Sequence, residues 1–334
     1  MPSTVSDHVA PHPSVPAGPL PRNPGTALDL DWVGSVRVNR SASERRAATL
    51  VTRRTVKKAW QAGWLLRAIT LIDLTTLAGD DTPGRVRRLC AKARRPVRDD
   101  LLGALGMDDT PLTVGAVCVY HAMVPTAMAA LRGSGIPVAA VSTGFPAGLS
   151  PLATRVAEIH ASVEAGAEEI DVVISRHLAL AGDWRGLFDE IATFREACGE
   201  AHLKVILGTG ELGTLRTVAR ASLVAMMAGA DFVKTSTGKE SENATLSVSL
   251  TMARTIRDYW ERTGFAVGFK PAGGIRTAKD ALAWLTLMRE ELGPRWCERD
   301  LFRFGASSLL ADIERQLEHH VTGRYAALHK QPLA

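Results

Sequence analysis

The chain has 334 residues, of which 46% are hydrophobic and 22% charged, and its formal net charge is +5. That length and balance suit one large soluble globular domain with a substantial core. A membrane-spanning helix is not expected, because no apolar run approaches the ~18 residues a span needs, and the first residues lack the basic-then-apolar signal pattern.

Residues 1–25 hold seven of the 17 prolines, among Ser, Ala and Gly, and read as a disordered or extended arm. Residues 26–68 form an expected helical extension. Its pattern runs from about Ser41 to Ala68, with Ala47, Leu50, Val51, Val56, Trp60 and Trp64 at mixed three- and four-residue steps. Much of the positive excess sits here, at Arg40, Arg45, Arg46, Arg53, Arg54, Lys57 and Lys58. Without an interleaved aromatic pattern this is a solvated helix face, and no nucleic-acid partner is expected. Residues 69–321 then alternate between strand and helix patterns, and 322–334 form a tail.

The expected strands are Ile72–Thr76, Val114–Tyr120, Val138–Thr143, Glu169–Ser175, Leu203–Thr209, Phe232–Thr235, Val267–Pro271 and Leu301–Gly305. The helical segments that follow them are Pro83–Arg94, Val124–Arg132, Pro151–Ala165, Trp184–Cys198, Leu215–Ala228, Thr245–Glu261, Ala278–Leu292 and Ser308–Leu317. Thr82-Pro83 is a helix-start signal, and Gly133 and Gly166 follow helix ends. Eight strands, each followed by a helix, predict an α/β fold of the (β/α)8 TIM-barrel type. An open doubly wound sheet is the alternative, but no GxGxxG follows the first strand.

Barrel chemistry sits at the C-terminal ends of the strands. Lys234 lies there, in Asp231-Phe232-Val233-Lys234-Thr235-Ser236-Thr237-Gly238-Lys239. A buried ammonium must be paired or neutralised, so this lysine either snorkels, joins an ion pair or serves as a reactive amine. Lys270, in Val267-Gly268-Phe269-Lys270-Pro271-Ala272-Gly273-Gly274, favours the last reading. Neighbouring strands lie ~4.8 Å apart, so lysines pointing inward from consecutive strands crowd each other and one loses its proton near neutral pH. A free amine of this kind attacks carbonyl carbon. Asp171, inside the apolar run Glu169-Ile170-Asp171-Val172-Val173-Ile174, is either a counter-charge, particularly to Lys204, or a proton shuttle. Cys118, at the second strand end, is expected to pack rather than react.

The loops after the seventh and eighth strands are where such barrels bind phosphate. Here they read Gly273-Gly274-Ile275-Arg276-Thr277 and Gly305-Ala306-Ser307-Ser308, and Gly238-Lys239 follows the sixth strand. The glycines allow backbone N–H groups near an anion, Ser307 and Ser308 donate hydroxyls, and Lys239 adds a cation. Arg276 is either a phosphate contact or a salt bridge on the rim. Four scattered cysteines without a CxxC pair indicate reduced thiols in a cytoplasm, not a disulfide frame or zinc site. Nine histidines show no HxH or HExxH spacing, so neither a metal nor another cofactor is expected.

Across Ile72-Asp73-Leu74-Thr75-Thr76-Leu77, Glu169 to Val173, Thr209-Gly210-Glu211-Leu212, Asp231 to Lys239, Gly268 to Thr277 and Arg303 to Ser307, the chain resembles the deoxyribose-phosphate aldolases. These are class I, Schiff-base aldolases, and the resemblance covers about Asp73 to Leu317. The longer N-terminus and the tail Glu318 to Tyr325 are more similar to the animal-type branch. The resemblance implies reversible cleavage of 2-deoxy-D-ribose 5-phosphate to D-glyceraldehyde 3-phosphate and acetaldehyde. It implies Lys234 as the imine-forming nucleophile, Lys270 as the group that lowers its pKa and helps the proton relay, and Asp171 as acid and base through water. It implies Gly238, Lys239, Gly273, Gly274, Gly305, Ser307 and Ser308 around the phosphate. Some members end in a tyrosine proposed to move protons; this chain ends Gln331-Pro332-Leu333-Ala334, and Tyr325 is the nearest candidate. The rivals are another phosphosugar enzyme on the same fold, using one lysine, and a phosphosugar-sensing or RNA-associated protein. A phosphosugar is the expected partner, with a homo-oligomer left open.

Overall fold

The computed structural model describes Gly18 and residues 20–53 and 56–327. Three helices precede the first strand: α1 (Leu30–Ser35), α2 (Arg40–Arg53) and α3 (Lys58–Ile69). The regular alternation follows as β1 (Ile72–Thr75), α4 (Pro83–Arg94), α5 (Asp99–Ala104), β2 (Ala116–Tyr120), α6 (Val124–Leu131), β3 (Val138–Ser142) and α7 (Leu152–Glu164). It continues with β4 (Glu169–Val173), α8 (Arg176–Ala181), α9 (Trp184–Ala197), β5 (His202–Ile206), α10 (Leu215–Met227) and β6 (Phe232–Lys234). The last elements are α11 (Leu246–Thr263), β7 (Gly268–Lys270), α12 (Ala278–Glu291), β8 (Phe304–Ala306) and α13 (Leu309–Thr322).

Seven parallel pairings run in the order β7-β6-β5-β4-β3-β2-β1-β8. The two ends of that order meet. Phe269 N–H donates to the Leu301 carbonyl at 2.9 Å, Arg303 N–H to the Phe269 carbonyl at 3.1 Å, and Gly305 N–H to the Pro271 carbonyl at 2.9 Å. The sheet is therefore a closed (β/α)8 barrel. Its strands are buried on both faces, which is why they read as continuous apolar runs such as Val138-Ala139-Ala140-Val141. The main apolar core lies between strands and helices. A separate small cluster of Cys118, Ala139, Val141, Phe145, Val173 and Ile206 fills part of the barrel interior.

Local chemistry fixes the helix starts. Thr82, Thr214, Thr245 and Thr277 each accept an N–H bond at a helix N-terminus, and Thr277 with Asp280 forms a capping box. The expected Ser41–Ala68 helix is divided into α2 and α3. Val56 and Lys57 belong to neither helix, and residues 54 and 55 lie outside the described residues. Helices α1, α5 and α8 escaped the sequence reading because six residues are too few to show a periodic stripe. Arg46 ties α2 to α12 through Glu290 at 2.6 Å and Glu291 at 3.2 Å.

The proline-rich arm needs a correction at its inner end. Residues 1–17 and 19 lie outside the described residues, but Leu20–Gly25 is tied to the barrel. Asn23, 2% exposed, donates its side-chain amide to the Met226 and Ala230 carbonyls at 2.8 and 2.9 Å. Arg22 and the Asn23 N–H both bind the Asp231 carboxylate at 3.0 Å. A proline-rich composition hid a segment whose few polar side chains satisfy buried backbone groups.

Candidate active site

The strand alternation that turns apolar residues toward the helices turns charged ones inward. Asp73 on β1, Glu169 and Asp171 on β4, Lys204 on β5, Lys234 on β6, Lys270 on β7 and Arg303 before β8 are all buried. Lys234 and Lys270 are direct neighbours in the β6–β7 register. Both nitrogens donate to one oxygen, Oδ2 of Asp171, each at 2.7 Å, so they are no further apart than twice that distance. The expected crowding of the two amines is present.

The remaining partners complete a network. Lys204 donates to Asp171 Oδ1 at 3.2 Å and also to Glu169 Oε2. Arg303 donates to Asp73 Oδ1 at 2.6 Å and to Glu169 Oε1 at 2.8 Å. Lys270 also pairs with Asp73 Oδ2.

Burial disfavours the charge on every one of these groups, and neighbours outweigh it at all but Lys234. Burial resists the Asp171 charge, but Lys234, Lys270 and Lys204 outweigh it and hold the carboxyl well below the usual range. Burial likewise resists the Asp73 charge, and Lys270 and Arg303 bring that carboxyl down to about 2. Glu169 is lowered in the same way by Arg303 and Lys204. Lys270 is raised, because Asp171 and Asp73 together overcome its burial. Lys204 is raised by Glu169 and Asp171 against its own burial. Lys234 alone among the three lysines is lowered: burial and the Lys270 charge exceed what Asp171 returns. The barrel thus distinguishes two adjacent lysines: the proton affinity of Lys270 is raised and that of Lys234 is lowered.

Lys234 lines a cleft of about 350 Å³. Thr75, Thr76 and Leu77 line it as well. Gly238, Lys239, Gly273, Gly274 and Gly305 also line it, with Ser307 and Ser308. Every glycine, lysine and serine expected around a phosphate therefore shares the cleft lining with Lys234, while Asp171 and Lys270 are fully buried and do not line it.

Two of those glycines differ from expectation in their backbone use. The Gly238 N–H donates to Glu240 Oε2 at 3.1 Å, and the Thr237 N–H to the same carboxylate at 3.0 Å. The Gly305 N–H closes the barrel through the Pro271 carbonyl. Neither amide is free for an anion. Gly305 instead provides room, since a Cβ there would stand 2.8 Å from the Ala272 Cβ and 3.3 Å from the Lys270 Cε. Gly273 and Gly274, at φ +78° and +82°, occupy backbone conformations that favour glycine, and a Cβ on Gly273 would meet Asn243 at 2.6 Å. The exposed Ser307 and Ser308 hydroxyls and the Arg276 guanidinium, which also borders the cleft, have no protein partner among the described residues. That disfavours the rim salt bridge for Arg276.

A family model described as DeoC/LacD family aldolase matches residues 67–314. The chain belongs to that aldolase family. It is 62% identical over 312 residues to the deoxyribose-phosphate aldolase of Mus musculus, spanning 93% of this chain and 98% of that one. To the Homo sapiens deoxyribose-phosphate aldolase it is 60% identical over 314 residues, spanning 93% and 99%. Among solved structures, the tetrameric deoxyribose phosphate aldolase from Aeropyrum pernix matches with a TM-score of 0.59 and 22% identity, over 84% of this chain and 99% of that one. That likeness speaks for the fold.

The aldolase residues that sequence reading left without a role are Asp73, Glu169, Arg303 and Glu240. A signal existed for the first three, each a charge within or beside an apolar strand. Glu240 carried none, because its bonds to the Thr237-Gly238 turn are purely local. Tyr325, considered for proton transfer, stacks on His319 with ring centroids 4.3 Å apart. His319 is eleven residues along α13 from the Ser308 end, or ~16 Å at 1.5 Å per residue, so Tyr325 sits toward the far end of the barrel from the cleft. No helix among the described residues is long and apolar enough to cross a membrane.

Proposed function

We propose that this aldolase reversibly cleaves 2-deoxy-D-ribose 5-phosphate to D-glyceraldehyde 3-phosphate and acetaldehyde through an imine on Lys234, as a step in deoxyribose phosphate breakdown. The observation that carries the proposal is the in-register pair Lys234 and Lys270, sharing one Asp171 oxygen under a cleft with Lys239, Arg276, Ser307 and Ser308 at its mouth. The relatives at 60–62% identity bear the corresponding name.

The chemistry follows from the geometry. The lowered proton affinity of Lys234 leaves a lone pair to attack C1 of the open-chain sugar; loss of water gives the imine. Its protonated form draws electrons from the C2–C3 bond. As the C3 hydroxyl gives up its proton, that bond breaks, the glyceraldehyde phosphate leaves, and an enamine remains on the lysine. Protonation at C2 and attack of water release acetaldehyde and restore the amine. Asp171, held ionised, is ready to accept a proton first, through water, and to return it to C2 afterwards. Lys270 stays an ammonium throughout and keeps Asp171 ionised at rest. The phosphate lies against Lys239, Arg276 and the two serine hydroxyls, with the Gly273 and Gly274 amides beside it.

A transaldolase-like activity needs only one lysine and leaves Lys270 and its neutralising role unaccounted for. The basic N-terminal helices lend little to an RNA-binding reading, since Arg40 is paired with Glu44 at 2.7 Å and Arg46 with Glu290 and Glu291. The four buried free thiols fit a reducing, cytoplasmic setting. Borohydride reduction in the presence of acetaldehyde tests the proposal: a two-carbon adduct is expected on the Lys234 peptide. An unmodified Lys234, or an adduct on Lys270 instead, removes the assignment.

A further inference from the structure

We propose that Arg303 and Glu169, neither of which lines the cleft, are positioning residues for the reactive amine: they close a ring of alternating charges that is complete without Lys234 and leaves that lysine as the surplus cation. The inference rests on the aldolase reading and names what sets its nucleophile apart.

The ring can be walked around the barrel. From Asp73 it passes to Arg303 at 2.6 Å, and from Arg303 to Glu169 at 2.8 Å. It continues from Glu169 to Lys204, then to Asp171 at 3.2 Å. From Asp171 it reaches Lys270 at 2.7 Å and returns to Asp73 through the second Asp73 oxygen. The members come from β1, the entry to β8, β4, β5 and β7, so they span most of the barrel circumference. Three carboxylates meet three cations, and each carboxylate touches two of them. The sum is zero.

Lys234 touches this ring at one point, Asp171 Oδ2, which Lys270 already occupies. A proton on Lys234 would leave a net positive charge in a dry interior. Among the described residues, no other carboxylate is within ion-pair distance of it. The Cys118 thiol of β2, also facing it, is kept protonated by burial. Lys239 and Arg276 at the cleft mouth add only positive charge from the solvent side. A buried charge without its own partner is expelled by losing the proton. Arg303 and Glu169 matter because they balance Asp73 and Lys204, which would otherwise bias Lys234 in one direction or the other.

This makes opposite predictions for two residues in direct contact. Removing the Arg303 charge leaves the ring net negative, so the ammonium form of Lys234 is favoured. Removing the Glu169 charge leaves it net positive, and the free amine is favoured. One elementary charge at roughly 10 Å in a medium of effective dielectric constant about 20 moves a pKa by about one unit.

The experiment is the pH midpoint of borohydride trapping of acetaldehyde on Lys234 in the full chain. Arg303→Met should raise the midpoint by about one pH unit, and Glu169→Gln should lower it by about one. The double variant and Arg303→Lys should both stay near the native midpoint. If Arg303→Met does not fold, Lys204→Gln removes another ring cation and must raise the midpoint; if Glu169→Gln does not fold, Asp73→Asn must lower it. Shifts of the same sign, or no shift with only a lower trapping yield, overturn the inference, since merely structural residues would reduce yield without moving the midpoint. Failure of the aldolase reading is seen separately, as no adduct on the native chain at any pH.

Discussion

Replacing Lys270 by leucine tests the coupling of the two amines directly. In the native chain the Lys270 ammonium and Lys234 share one Asp171 oxygen at 2.7 Å each, and Lys270 is also a partner of Asp73. Its removal acts twice on Lys234. The repulsive neighbour is gone, and Asp171 and Asp73 each lose a counter-charge, so the interior becomes more negative. Both changes stabilise the Lys234 ammonium. For charges roughly 5 Å apart in an effective dielectric constant of about 20, the first change alone is about 3 kcal/mol, or roughly two pH units. The sign is therefore upward: the trapping midpoint of Lys234 moves to higher pH, and the free-amine fraction at pH 7 falls about a hundredfold. The assay is the pH dependence of kcat/KM for deoxyribose 5-phosphate alongside the pH dependence of borohydride trapping. Both acid limbs should move together. A variant that is folded, slow and yet titrates at the native pH would refute the coupling and reduce Lys270 to a packing or proton-transfer role.

Three further outcomes are expected. Glu240→Ala frees the Thr237 and Gly238 amides and loosens the turn that presents Lys239, so KM for the phosphorylated sugar should rise about tenfold with kcat little changed. KM for unphosphorylated deoxyribose should not move; an equal rise for both sugars would contradict a role at the phosphate. Asn23→Ala leaves the Ala230 carbonyl and the Gly25 amide without their partner and takes one donor from the Met226 carbonyl, which keeps the Tyr259 hydroxyl and the Gly229 N–H, at a cost of about 2–3 kcal/mol read from urea unfolding. A change below about 0.5 kcal/mol would mean that the segment is not an integral part of the barrel. Stability should also fall with acid. Asp73, Asp171 and Glu169 all have depressed folded values, so the unfolded chain binds more protons below its own carboxyl range. Their contribution is complete above about pH 4.3 and is lost as pH falls toward 2, with Asp73 alone accounting for about 2–3 kcal/mol. A urea midpoint at pH 3 equal to that at pH 6 would be incompatible with an ionised ring.

The sequence showed the strands and the two lysines for the same physical reason. A parallel strand buried on both faces must be apolar throughout, so a charge inside it is conspicuous. Lys234, Lys270 and Asp171 were each found that way. Glu169 and Arg303 broke the same rule but sit at the entrance of their strands, where a charge also reads as an ordinary edge residue. What made them part of the network is register: β4 offset against β5, and β8 closing on β1, bring their side chains to the same depth. Register is set by closure of the whole barrel and is not written in any one segment.

Local contacts account for the other gaps. Asn23 and Glu240 each work through backbone groups more than through a partner side chain, and such bonds leave no periodicity to read. The Gly305 assignment shows the converse. Its position in the loop suggested an amide offered to an anion, yet that amide is the last rung between β7 and β8. What the site takes from Gly305 is the missing side chain, since a Cβ there would press on Lys270. The same residue thus fastens the barrel and leaves space for the Lys270 ammonium beside Lys234. Fold closure and amine chemistry meet in one residue, which is why neither is legible from Gly305 alone.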